Sequence, residues 1–133
     1  MFRIFVLYTL IMLSINMLGI HPGTLPYQYQ HNMKTFNISH QGQRVEARPD
    51  DTLRIVLPTQ MGTGYRWHWE EQAAFRLIEE KVEPKDNIPG ASEEQVFIIR
   101  PLKKGKHQLS LAYRRSWETQ ILKYYELQIK VAE

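Results

Sequence analysis

Histidines, paired glutamates and two stretches rich in aromatics and arginine are the parts of this chain whose side chains could do chemistry. Their spacing separates them. The five histidines, His21, His31, His40, His68 and His107, form no H-E-x-x-H pair and no other metal-ligand spacing. Glu70-Glu71, Glu79-Glu80 and Glu93-Glu94 are adjacent in sequence, so within a strand each pair points to opposite faces. Catalytic carboxylates must instead converge on one substrate atom. No G-x-S-x-G elbow and no phosphate-binding glycine loop occurs. The chain has no cysteine, which removes thiolate nucleophiles, thiolate metal ligands and disulfides. The reading is a protein that is not an enzyme, with no catalytic residues, no metal and no cofactor.

Recognition chemistry remains. Met61-Gly62-Thr63-Gly64-Tyr65-Arg66-Trp67 sets Thr63 between two glycines, so its backbone can take positive φ and approach another surface closely. Tyr113-Arg114-Arg115-Ser116-Trp117-Glu118 places a tryptophan where the alternation of the preceding strand has ended. Such a tryptophan either folds back onto the core or stands exposed, and exposed it is the residue type expected at the centre of an interface. Asn87-Ile88-Pro89-Gly90-Ala91-Ser92 is a third loop between them. A rigid sheet fixes where its loops point, so three such loops read as one binding edge.

The elements that position these loops have a period of two. Leu53, Ile55 and Leu57 alternate with polar or outward residues. So do Tyr65, Trp67 and Trp69, then Leu109, Leu111 and Tyr113, then Tyr125, Leu127, Ile129 and Val131. Residues two apart share one strand face, so each run is a half-buried strand. Turn residues separate the runs at Pro49-Asp50-Asp51, Gly62, Gly64, Pro84 to Asn87, Pro89-Gly90 and Gly105. This pattern predicts an all-β antiparallel sandwich of seven to eight strands over residues 33–133. Trp67, Leu109, Leu111, Leu127 and Ile129 are expected between its sheets. The aromatic face of Tyr65, Trp67 and Trp69 reads as core, and Glu70 to Ala74 as a helical turn. If the loops form one edge, Thr63, Gly90 and Trp117 must lie at the same end.

Residues 21–32 read as an irregular leader, and residues 1–20 differ from the rest. Arg3 precedes an apolar run from Ile4 to Leu13 that weakens toward Ile20 and stops at Pro22. This is the n-region and h-region pattern of a secretory signal, with the mature chain starting between Gly19 and Leu25. A small-x-small cleavage site is missing, so a retained N-terminal anchor is the alternative. The expected setting is secreted or periplasmic, with membrane contact only through residues 1–20 if they are kept. A net charge of +3 with no stripe of cations and exposed aromatics argues against nucleic acid. Lys103-Lys104-Gly105-Lys106 has the form of a solvated hairpin turn.

From about Leu53 to Val131 the chain resembles the chagasin family of cysteine-protease inhibitors. That family carries an Asn-Pro-Thr-Thr-Gly-Tyr-x-Trp loop, a glycine-rich loop and an Arg-Pro-Trp loop often followed by Glu. This chain reads Gln60-Met61-Gly62-Thr63-Gly64-Tyr65-Arg66-Trp67 at the first and Arg115-Ser116-Trp117-Glu118 at the last. Val96-Phe97, Leu102, Gly105, Leu109, Leu111 and Tyr113 match the strand–turn–strand spacing between them. Gln60, Met61 and Gly62 replace Asn, Pro and Thr, which predicts a more mobile first loop. Pro89-Gly90-Ala91 stands for the glycine pair, and Ser116 for the proline.

The resemblance implies an immunoglobulin-like sandwich whose loops enter the cleft of a papain-like cysteine protease and block it reversibly, without covalent chemistry. It implies protease contacts at Gly62, Thr63, Gly64, Tyr65, Pro89, Gly90, Ala91, Arg115 and Trp117. Thr63 would lie nearest the catalytic cysteine and Trp117 on the leaving-group side. An exported immunoglobulin-like binding or adhesion module without inhibition is the other reading.

Overall fold

The computed structural model describes residues 32–88 and 92–133. The expected signal or anchor at residues 1–20, the leader up to residue 31, and Pro89, Gly90 and Ala91 lie outside the described residues. Among the described residues, eight strands form two four-stranded sheets. In chain order they are β1 (Met33–Asn37), β2 (Arg44–Ala47), β3 (Thr52–Thr59), β4 (Tyr65–Trp69), β5 (Phe75–Pro84), β6 (Glu93–Pro101), β7 (Gly105–Arg115) and β8 (Lys123–Val131). One sheet has the order β1-β3-β6-β5 and the other β2-β8-β7-β4.

The core follows the two-residue period. Leu53, Ile55 and Leu57 face Leu109, Leu111, Leu127 and Ile129 within one buried cluster that also holds Trp67, Phe75, Phe97, Ile99 and Tyr125. The five core residues expected from the sequence are all buried. Tyr65 and Trp69 are only half-buried, because β4 is an edge strand and its ends emerge from the sandwich. Central β6 buries Val96 and Ile98 on its outer face as well. Arg54 and Lys81 flank those residues in register, and both pair with Glu83, at 3.5 and 2.9 Å. Long charged side chains can cover apolar surface in this way while their heads stay wet.

Most strand pairs are antiparallel, but β1 runs parallel to β3 and β2 parallel to β8. A two-residue period tells which face a side chain takes and is silent on the direction of the neighbouring strand. The chain crosses from one sheet to the other through a 3-10 turn at Ile38–His40, leaving a parallel edge strand on each. Asn37 caps that turn, its Oδ1 accepting from the Ser39 backbone N–H at 3.0 Å.

The free edge of β4 is closed from the opposite sheet. Gln95, fully buried on β6, accepts from the Trp67 backbone N–H at 2.6 Å and donates to the Trp67 carbonyl at 3.0 Å. One side-chain amide thus substitutes for a ladder partner, and no buried backbone group at Trp67 is left unpaired. Gln72 repeats the device. It donates to the Ser110 carbonyl at 2.9 Å and accepts from the Ser110 N–H at 3.1 Å. This bonding, with a bridge between Gln72 and Phe75, makes Glu70 to Ala74 a turn continuing the sheet and not the helical turn expected.

The register separates the two ends of the sandwich. At one end Thr59 pairs Glu93, Glu93 pairs Pro84, and Tyr65 pairs Arg115. At the other end Met33 pairs Thr52, Phe75 pairs Pro101, and Gly105 pairs Val131.

Candidate functional site

The first loop joins β3 to β4 and is a tight 3-10 turn at Met61–Thr63. The Gln60 carbonyl accepts from the Thr63 N–H at 3.0 Å and from the Thr63 hydroxyl at 2.7 Å. The Gly64 N–H reaches the Met61 carbonyl at 3.0 Å, and the Tyr65 N–H donates to Thr63 Oγ1 at 3.3 Å. The changes at Gln60, Met61 and Gly62 therefore leave a loop closed by its own hydrogen bonds rather than an open one. Of the two glycines, only Gly64 uses the left-handed region, with φ of 80°.

The last loop follows β7. The Glu118 N–H donates to the Arg115 carbonyl at 3.1 Å and the two side chains pair at 3.3 Å. Arg114 Nη1 reaches the carbonyls of Arg115 and Glu118, both at 3.3 Å, and that of Ser116 at 3.5 Å. This guanidinium bridges three carbonyls of the turn. Trp117 stands out from it, 72% exposed.

The two loops are joined, although 52 residues separate the bonded pair: Arg115 Nε donates to the Thr63 carbonyl at 3.2 Å. The Arg115 guanidinium also lies 4.4 Å from the Tyr65 ring centre and 5.9 Å from that of Trp117. The Trp117 indole sits against Gly64, where a Cβ would overlap it. Below, Tyr65 stacks on Tyr113 at 5.5 Å, Tyr113 meets Trp67 at 4.8 Å, and Trp67 meets Tyr125 edge-on at 6.3 Å. Lys123 lies over Tyr113 at 4.8 Å and over Trp67 at 5.5 Å. A ladder of rings and cations thus runs from the exposed tip to the core. Such contacts are each worth about 0.5–1.5 kcal/mol beyond burial.

Burial pushes the Tyr113 phenol up, partly offset by the Gln60 backbone. Burial, then the Arg114 charge, lowers the His68 imidazole, whose Nε2 lies 3.2 Å from the Arg114 carbonyl. No group of three or more metal-ligating side chains occurs among the described residues.

Gly62, Thr63, Gly64, Tyr65, Arg115 and Trp117 are therefore brought to one end. The β5–β6 hairpin opens at that same end, its base closed by a 2.9 Å bond from the Lys85 N–H to the Ser92 carbonyl. Its tip, Pro89 to Ala91, lies outside the described residues, so the expected place of Gly90 beside Thr63 and Trp117 does too. Sequence reasoning missed Arg114, Tyr113 and Lys123 as supports. Arg114 stood next to Arg115 without a signal of its own, and Tyr113 read as an ordinary strand aromatic.

At this end a rigid sheet scaffold carries two joined loops, charge and an exposed tryptophan, an arrangement suited to binding. The model of the chagasin family of peptidase inhibitors, family I42, matches residues 46–131, and the chain belongs to that family. Chagasin from Trypanosoma cruzi is 23% identical over 86 residues, covering 59% of this chain and 78% of that protein. The fold is similar to that of EhICP2, a cysteine protease inhibitor from Entamoeba histolytica. The TM-score is 0.66 at 22% identity, over 74% of this chain and 95% of that one. Amebosin is similar too, with a TM-score of 0.56 at 19% identity, over 75% of this chain and 97% of that one.

Proposed function

We propose that this chain is a reversible, non-covalent inhibitor of papain-like cysteine proteases, filling the active-site cleft with the loops at this end. The observation that carries the reading is the hydrogen bond from Arg115 to the Thr63 carbonyl, which joins the first and last loops into one exposed ridge. Family membership supports it, as does the name of the Entamoeba histolytica neighbour, a cysteine protease inhibitor. A ridge already ordered by the sheets loses little freedom on docking. An interface of about 1,600 Å² is typical for protease–inhibitor pairs. Thr63 with Gly62, Gly64 and Tyr65 lies over the catalytic cysteine. Trp117 and Arg115 take the leaving-group side, and Pro89, Gly90 and Ala91 the other. The chain supplies no cysteine, so inhibition works by occupancy.

The working compartment in this reading is extracellular or periplasmic. Arg3 and the apolar run Ile4 to Leu13 support that, and N-terminal sequencing of the exported protein returning a start between Gly19 and Leu25 would bear it out.

Titration against papain and a cathepsin L-like enzyme tests the function. The parent should inhibit both reversibly. Thr63→Arg should lose roughly a hundredfold or more, because an unpaired charge forced into a cleft costs roughly 3 kcal/mol. A folded parent that inhibits neither enzyme leaves an immunoglobulin-like binding module as the better reading.

A further inference from the structure

We propose that the end of the sandwich opposite the loops is a seat for an anionic membrane surface, made by Leu102, Lys103, Lys104, Lys106 and Lys130. This goes beyond the inhibitor reading and does not depend on it.

The β6–β7 turn holds an apolar side chain outward among cations. Leu102 is 58% exposed at its tip. The turn is fixed by the Leu102 N–H donating to the Ala74 carbonyl at 2.8 Å, by Gly105 at φ of 101°, and by His107 Nε2 at 2.8 Å from the Lys104 carbonyl. Lys103 and Lys104 follow directly, and both are exposed. An exposed leucine followed by two exposed lysines suits the boundary between headgroups and acyl chains: the leucine enters and the ammonium groups meet phosphates.

Lys106 stands directly opposite Lys130 across the β7–β8 ladder. Like charges in that position repel. The ion pairs among the described residues engage neither of them. Arg44 lines the same shallow cavity, and Glu46, beside Lys130 in register, is the one acid in that lining. In that lining Arg44, Lys106 and Lys130 stand against Glu46, and Lys103 and Lys104 add to the positive charge of this end, while Asp50, Asp51 and Glu133 offset part of it; an anionic surface would relieve the excess.

The chain also enters the domain here. The Thr52 N–H donates to the Asn32 carbonyl at 3.0 Å and β1 begins beside it. Asn32, the first described residue, therefore lies at the lysine end. Seated this way, the ridge of Thr63 and Trp117 points away from the membrane, open to a protease. Lipid is favoured over nucleic acid because the exposed aromatics among the described residues, Trp117 and Tyr124, are not at this end. Single-stranded nucleic acid would need such rings for stacking.

The absence of cysteine allows single-site labelling of the full-length chain. A polarity-sensitive dye is placed at Leu102→Cys or at Thr63→Cys, with vesicles of phosphatidylcholine alone or mixed with phosphatidylglycerol. On the mixed vesicles the dye at 102 should shift to the blue and resist an aqueous quencher, while the dye at 63 stays accessible. High salt, Lys106→Glu with Lys130→Glu, or Lys103→Gln with Lys104→Gln should each reduce that protection roughly tenfold. The lysine variants should keep the parent's circular-dichroism spectrum and urea transition, which shows that they fold. Protection at 102 that is absent, equal on neutral vesicles, or indifferent to the lysine changes overturns the proposal. So does tight binding to a single-stranded oligonucleotide with none to the mixed vesicles.

Discussion

Trp67 and Trp117 belong to the same ladder of rings and cations, yet they serve opposite ends of it. Trp67 is 1% exposed, donates its indole N–H to the Pro58 carbonyl at 3.0 Å, and has its backbone held on both sides by Gln95. Trp117 is 72% exposed and rests on Gly64 and the Arg115 guanidinium. One tryptophan stabilises the fold, and the other is left in water, with its apolar surface available to a partner. The difference lies in which backbone each is mounted on: Trp67 on the inner face of β4, Trp117 on a turn held by Arg114.

That contrast breaks most sharply at Trp67. Trp67→Ala should cost about 3–5 kcal/mol of stability, because it opens a cavity among Tyr113, Tyr125 and Lys123. Urea denaturation monitored by circular dichroism measures it. Trp117→Ala in the same experiment should move the transition by no more than about 1 kcal/mol, because its contact with Arg115 is exposed. Equal losses at the two sites would mean that the exposed tryptophan is a structural part after all.

The buried end of the ladder can also be probed by pH. Tyr125 is fully buried, its hydroxyl donates to the Asn37 carbonyl at 2.8 Å, and burial pushes its phenol up to about 12. In the unfolded chain the phenol ionises near 10. Below about pH 10 both states hold the proton, and the stabilisation is fully present. Between about pH 10 and 12 only the folded state holds it, so stability falls as pH rises. The loss should reach about 2–3 kcal/mol by pH 12, with Tyr113 adding in the same direction. Tyr125→Phe should start less stable, having lost the Asn37 bond, and should fall less steeply over that window in urea titrations.

At the exposed end the effect is on binding. Trp117→Ala should weaken inhibition by about 2 kcal/mol, roughly thirtyfold, as a central aromatic does in such interfaces. Inhibition constants against papain decide this. A change under twofold would remove Trp117 from the binding ridge and leave the first loop alone to carry the contact.

How much of this was legible beforehand follows the same divide. The alternation around Leu109, Leu111, Leu127 and Ile129 specified the core because a two-residue period and burial are the same fact in a half-buried strand. Direction was not legible, since the parallel pairing of β1 and β2 depends on a sheet crossing that leaves no periodic trace. Nor was Gln95, whose side chain acts as a piece of backbone for Trp67 and whose type gives no hint of it. At the site, Thr63, Arg115 and Trp117 were legible as residue types in loops and as a family resemblance. Their bonding to one another was not, because it joins residues far apart in sequence. Arg114 as the clasp of the last loop could be found only in three dimensions.

The smallest effect expected is at Thr63. Its hydroxyl donates to the Gln60 carbonyl and accepts from the Tyr65 N–H, so it shapes the turn and is not free to face a partner. The turn also has backbone bonds from Thr63 to Gln60 and from Gly64 to Met61, and Arg115 holds the Thr63 carbonyl from the neighbouring loop. Thr63→Ala removes two exposed hydrogen bonds and keeps those three. Exposed bonds of this kind contribute about 0.5–1 kcal/mol each at most, and water replaces part of that. Affinity for papain should therefore fall by less than about fivefold, well short of the loss at Trp117. A loss as large as that of Trp117→Ala would show that the hydroxyl itself meets the protease. The first loop would then act through its side chain, and the contrast between an exposed ring that binds and a loop that presents its backbone would not hold.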